Sequence, residues 1–240
     1  MSKIVKIIDY KAGNAPSVMH AVRRLGFEAE FAALPRDLEN SSPSKTCIIL
    51  PGVGSAGATM RSLQETGMAE ELSYCVMGKK IPFLGVCVGM QVLFEHSEEE
   101  DASCFGWLKG KVVKFDSSLV RVPQMGWNEV RFNSRAGASK SNAENKVRFS
   151  SATEAGKSNA DSKSMLHSPA PAEVNKSGYF YFVNSYYALP LNKNDTWGIA
   201  HYGSDFCAAV KNENIYGTQF HIEKSGEAGL KLLREFIESC

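Results

Sequence analysis

The sequence predicts an α/β protein: a mostly parallel sheet flanked by helices and joined to an additional, largely β region. Three observations carry that expectation. Up to Phe94, apolar runs of strand length alternate with segments of helical spacing in the order β-α-β-β-α-β-α, as in a parallel sheet covered by helices. Beyond about residue 105 the texture changes to strand-like runs separated by turn residues. Finally, GEAGLKLLREFIESC sets Leu230, Leu233, Phe236 and Ile237 at helical spacing, so a terminal amphipathic helix packs back onto the sheet.

Taken in order, KIVKII is a first strand. In NAPSVMHAVRRLG, Val18, Ala21, Val22 and Leu25 share one helical face, Asn14 stands at the cap position and Gly26 ends the helix. FEAEFA alternates like a half-buried strand, and TCIIL is a short apolar run ending at Pro51. Residues 57–78 form one or two helices before the strand IPFLGV. The β-rich half contains WLKGKVVKF, GWNEVRF, YFYFVNSYYAL, WGIAHYG, FCAAVKN and IYGTQF.

A chain of 240 residues, 43% of them hydrophobic, suits one large domain with a substantial core. Residues 134–178 stand apart, because Ser, Ala, Asn, Lys and Glu dominate them and little is apolar. They are expected to form a flexible insertion, either simply solvated or able to bind a partner. Lys plus Arg total 27 against 26 Asp plus Glu, a formal charge of +1, so no basic face is implied and nucleic acid is not an expected partner. The N-terminus lacks the apolar core of a signal peptide, and no run of membrane-spanning length occurs, so a soluble, cytoplasmic protein that does not engage the membrane is expected. The six cysteines fit neither a disulfide framework nor a zinc site, which favours a reducing compartment and no metal.

The chemistry concentrates in three segments. In IPFLGVCVGMQVLF, a Gly-x-Cys-x-Gly between strand and helix forces a tight turn that pushes Cys87 out of the sheet. At a helix N-terminus that sulfur meets unpaired N–H groups favouring thiolate; the competing reading is a buried structural cysteine in a packing turn. In IYGTQFHIE, read as a strand, His221 and Glu223 point the same way. They are either a surface pair or a base with its orienting carboxylate, the arrangement a thiol nucleophile requires. In LPGVGSAG, the Gly52-Val53-Gly54 loop is an ordinary turn, a phosphate loop of unusual spacing, or, with the N–H of Val88, an oxyanion hole.

IDYKAGNAPSV, PGVGSAGATM, GVCVGMQVLFE, VPQMGWNEV, FVNSYY and GTQFHIEKSGEAGLKLL together resemble, in order, the class I or triad glutamine amidotransferases, in particular the glutaminase subunits of imidazole glycerol phosphate synthases. The resemblance spans residues 8–132 and 179–240. It implies a flavodoxin-like fold and hydrolysis of glutamine to glutamate and ammonia by Cys87, His221 and Glu223 through a γ-glutamyl thioester. It further implies an oxyanion hole at Gly52, Val53 and Val88, and glutamine held by Gln91, Ser185, Tyr186 and an acidic residue, Glu99 in preference to Glu98. No cofactor is implied. Ammonia must reach its acceptor without escaping to water, and this chain has no room for the (β/α)₈ cyclase that uses it. A separate cyclase subunit in a heterodimer is therefore expected, with Trp127 and Lys224 near the docking face.

Three positions depart from the family pattern: Lys11 replaces Gly, Asn184 replaces His, and Ile222 replaces Pro between the His and the Glu. The last is expected to loosen the geometry of that pair. Other readings of the same residues are a glutaminase serving a different synthase, a regulatory homologue without turnover, and a cysteine peptidase.

Overall fold

The computed structural model describes residues 3–11, 14–133 and 174–240. In chain order the first half comprises β1 (Ile4–Ile8), α1 (Ala15–Arg24), β2 (Glu28–Ala32), β3 (Thr46–Gly52), α2 (Ala56–Glu65), α3 (Met68–Ser73), β4 (Phe83–Cys87) and α4 (Val88–Gln91). There follow β5 (His96–Ser97), β6 (Ala102–Ser103), β7 (Gly110–Lys114), β8 (Gln124–Asn133), β9 (Val174–Asn184), β10 (Tyr186–Pro190), β11 (Thr196–Tyr202), β12 (Ser204–Asn212), β13 (Ile215–Thr218) and α5 (Gly226–Ser239).

These strands form one thirteen-stranded sheet among the described residues, in the order β2-β1-β3-β4-β13-β12-β10-β7-β5-β6. The first five are parallel neighbours in the flavodoxin-like order. From β13 onward the sheet is mainly antiparallel, and β11 leads off it through β8 to β9. Every residue of β3 and β4 is buried, which is why both read as continuous apolar runs rather than alternating ones. α1 begins with a proline in its first turn and ends with Arg23 and Arg24 against the negative end of its dipole. α5 buries Leu232, Leu233, Phe236 and Ile237, while Leu230 is only partly covered. Beneath the antiparallel region, Phe132, Phe180, Phe182 and Phe220 pack ring to ring at 4.2–6.5 Å, contacts worth about 0.5–1.5 kcal/mol each beyond area burial.

Several expectations require correction. FEAEFA is a half-buried strand as expected, with Ala29 and Ala32 covered, but its alternation breaks at Phe31, 44% exposed, and among the described residues it pairs with β1 alone at the sheet edge. The elbow helix is one turn long, α4, so the dipole that it directs at Cys87 is small, although its first N–H groups still lack intrahelical acceptors. Most of the expected insertion, residues 134–173, lies outside the described residues. Its C-terminal part does not behave as one, because β9 starts at Val174 and Val174–Gly178 pair with β8. Cys47 and Cys240 form a disulfide, their Cα atoms 6.1 Å apart across a sequence separation of 193. The cysteine spacing concealed this because the fold brings the start of β3 against the end of α5. The other four cysteines are free. Among the described residues no helix is long and apolar enough to cross a membrane.

Candidate active site

β3, β4 and β13 lie side by side, with Gly52 opposite Cys87 and Thr218 opposite Val86, so their carboxyl ends open at one place. Ligands bind at this edge of parallel α/β sheets. A cavity of about 290 Å³ lies there, lined by Val53, Gly54, Cys87, Val88, Gln91, Glu99, Pro123, Val183, Asn184, Ser185, Tyr186 and His221.

Cys87 has φ 55° and ψ −112°, a left-handed backbone uncommon for a residue with a Cβ and typical of a strained nucleophile turn. The sharp turn works because Gly89 lies against the Leu50 carbonyl, where a Cβ would collide. Cys87 is 5% exposed, at the cavity floor.

His221 is not on a strand. β13 stops at Thr218, and Ile222–Lys224 forms a single 3₁₀ turn. The turn nevertheless sets His221 Nδ1 3.0 Å from Glu223 Oε1. The departure at Ile222 therefore leaves the pair closed, and Ile222 itself is buried. The turn is tied to β9: His221 N–H donates to the Tyr181 carbonyl at 2.9 Å, while Ser225 Oγ donates to the His221 carbonyl at 2.7 Å and accepts from Tyr181 N–H at 3.0 Å. Asn14, expected to cap α1, makes no side-chain bond to that helix's backbone. Its Nδ2 instead donates to Glu223 Oε1 at 3.3 Å. Neither Asn14 nor Ser225 was legible as part of this constellation, because their partners lie far along the chain or on another strand.

Burial opposes charging of His221, but the Cys87 sulfur and the Glu223 carboxylate together outweigh it and push the imidazole up to about 10 from its ordinary 6.5. A folded-state value above the unfolded one means that the protonated ring stabilises the fold fully below pH 6.5 and loses that contribution as pH rises through about 10. Comparing His221→Gln with the parent by thermal melting, the stability gap should shrink steadily across that window. A gap independent of pH would show that no imidazolium is held there.

The remaining predicted residues divide. Glu99 lines the cavity, with Oε2 accepting Ala56 N–H at 3.0 Å, and burial raises its carboxyl above the usual range. Glu98 instead faces Lys111 Nζ at 3.4 Å and Lys114 N–H at 3.1 Å. Ser185 and Tyr186 line the wall. Gln91 also lines it, but its Nε2 is committed to the Tyr186 carbonyl at 3.2 Å and to Gln219 Oε1 at 3.0 Å, leaving its own oxygen for a ligand. Val53 and Val88 line the cavity and Gly52 does not; Gly52 packs against the backbone of Val88 and Gly89. The buried Tyr10 hydroxyl lies 3.4 Å from Thr59 Oγ1. Asn184 donates Nδ2 to the Tyr186 carbonyl at 2.9 Å, and Lys11 takes φ 67°, the conformation that suits the family's glycine. Trp127 is 57% exposed on the outer face of β8, edge-on to Tyr181, and its ring reaches Gly226, two residues beyond the exposed Lys224.

A cysteine at a strand–helix elbow and an imidazole held by a carboxylate thus line one cavity at the carboxyl edge of a flavodoxin-like sheet. The chain belongs to the class I glutamine amidotransferase family, whose model matches residues 6–240. Among its relatives, the imidazole glycerol phosphate synthase subunit HisH of Leptospira interrogans is 39% identical, over 97% of this chain and 98% of the relative. The subunit HisH 2 of Pseudomonas aeruginosa is 33% identical over 98% and 99%. The chloroplastic imidazole glycerol phosphate synthase hisHF of Arabidopsis thaliana is 35% identical over 98% of this chain but only 34% of its own length. Two solved structures share the fold: a glutamine amidotransferase, at TM-score 0.67 and 16% identity over 98% of this chain and 97% of the other, and PurLQS from Thermotoga maritima, at 0.64 and 17% over 100% and 99%.

Proposed function

We propose that this chain is a single glutamine amidotransferase domain, the glutaminase subunit of an imidazole glycerol phosphate synthase, and that it works through a Cys87–His221–Glu223 triad. The observation that carries the reading is that Cys87 and His221 line one cavity while His221 Nδ1 lies 3.0 Å from Glu223 Oε1. The full-length similarity to subunits of that synthase supports the choice of acceptor.

Glutamine enters with its α-ammonium at Glu99 and its γ-amide at the elbow. The Cys87 sulfur attacks the amide carbon, forming a C–S bond, and the oxygen takes the developing charge toward the N–H of Val88. His221 then gives its proton to the departing nitrogen; the C–N bond breaks, and ammonia and a γ-glutamyl thioester result. A water molecule, deprotonated by His221, adds to the thioester carbon. The C–S bond breaks, releasing glutamate and restoring the thiolate–imidazolium pair. Glu223 holds the ring with Nδ1 toward itself and Nε2 toward the sulfur throughout, and Asn14 keeps the carboxylate in place. Val53, which lines the same cavity, supplies the second oxyanion donor.

The ammonia acceptor is a cyclase subunit docked over Trp127 and Lys224. The plant relative is about three times as long as the stretch this chain matches. The test is glutamate release from glutamine by this chain alone and mixed with the cyclase subunit from the same source and its nucleotide ligand. The mixture should release glutamate faster and form the imidazole product. No stimulation and no imidazole product would overturn the assignment of partner; no glutamate in either case would overturn the enzymatic reading.

A further inference from the structure

We propose that Gln219 is a further catalytic residue, whose side-chain amide donates to the Cys87 sulfur and holds its negative charge before attack and after thioester hydrolysis. The inference rests on Cys87 being the nucleophile. Gln219 is fully buried one residue past the end of β13, and its Nε2 lies 3.8 Å from Cys87 Sγ.

The orientation of that amide follows from chemistry alone. The Tyr186 carbonyl can only accept, so the end of Gln91 that faces it at 3.2 Å is Nε2. The same nitrogen lies 3.0 Å from Gln219, which must therefore present its oxygen. The opposite end of the Gln219 amide, its NH₂, is left facing the sulfur. Main-chain bonding fixes the residue from behind, through Gln219 N–H to the Ala208 carbonyl at 2.9 Å.

A need for this donor is visible on the other side of the sulfur. Cys87 Sγ lies 4.0 Å from the Val183 carbonyl oxygen, a good acceptor for a thiol S–H but a repulsive neighbour for a thiolate. Ionisation therefore trades one favourable contact for an unfavourable one, and His221 together with the Gln219 amide supplies the donors that reverse the balance. Gln91 thereby also gains a positioning role, as the group that turns the Gln219 amide toward the sulfur.

The test uses the full chain and measures alkylation of Cys87 by iodoacetamide, followed on the Cys87 peptide by mass spectrometry, for the parent, Gln219→Glu and Gln219→Leu. Gln219→Glu has the parent's shape and retains an acceptor for Gln91, so it isolates the contact with sulfur. Gln219→Leu removes the donor without adding charge. At a fixed pH both variants should label more slowly than the parent, by about tenfold for leucine and by more for glutamate. A purely structural amide would lower the melting temperature and leave the labelling ratio unchanged. Parent-like labelling by both variants, with glutamate release by the parent intact, would overturn this inference alone. A parent that forms no glutamate with any partner overturns the functional reading and this inference with it.

Discussion

Cys87→Ala should lower glutamate formation from glutamine by about 10⁵-fold in kcat, with the cyclase partner present, while leaving the melting temperature within a few degrees of the parent. The effect is large because no other cysteine can deputise. Cys207 is buried in the sheet and burial pushes its thiol up to about 12; Cys75, also pushed to about 12, sits beside Glu71, and Cys104 is raised to about 11. None of the three lines the cavity. Removing one sulfur atom leaves Glu99 and the rest of the lining in place, so glutamine should still bind, as measured by calorimetry. A variant retaining more than about one part in a hundred of the parent rate would remove Cys87 from the mechanism.

Gly89→Ala should do the most damage to the fold. A Cβ at that position collides with the Leu50 main-chain carbonyl and presses on the Leu50 side chain at 3.4 Å. Neither can yield cheaply: Leu50 is fully buried and registered against Gly85 in the β3–β4 ladder. Either the elbow lifts off the sheet or the ladder parts. A loss of about 4 kcal/mol or more is expected, a fall of about 10 °C in melting temperature, accompanied by loss of glutaminase activity. Gly26→Ala makes the contrast. Its Cβ meets nothing within 4 Å, and only its φ of +86° resists a side chain, so a penalty near 1 kcal/mol is expected. Equal effects of the two substitutions in urea unfolding would mean that backbone crowding at the elbow is not what these glycines relieve.

Much of the parallel half was legible because its signals are local. Apolar runs such as TCIIL, helical spacing in α1 and the glycines around Cys87 each report on a few neighbouring residues, and the sheet order follows from linking them. The pairing of His221 with Glu223 was legible for a reason that does not hold in detail. A strand period of two brings them together on paper, whereas in the structure a 3₁₀ turn does so, in a segment with no Gly or Pro to announce a bend. What the sequence concealed depends on contacts far apart along the chain. Asn14 looks like a helix cap and serves Glu223 across a separation of 209, and Cys47 meets Cys240. Gln219 carried one usable sign: an amide closing the strand-like run IYGTQF, where burial demands partners at both ends.

One consequence of the strand order concerns the time at which this chemistry becomes available. β13 sits in the middle of the sheet and seals the open edge of β4, yet it is the last strand in the chain, and the contact between Gln219 and Cys87 closes a separation of 132 residues. During synthesis β4 must wait, one flank bare, until almost everything downstream has emerged. Closure over so long a span is slow, and an unpaired apolar flank invites wrong partners in the meantime. On the proposed mechanism the same delay is protective: a sulfur without its imidazole is an unarmed one, so the growing polypeptide gains a working site only after β13 has closed the sheet.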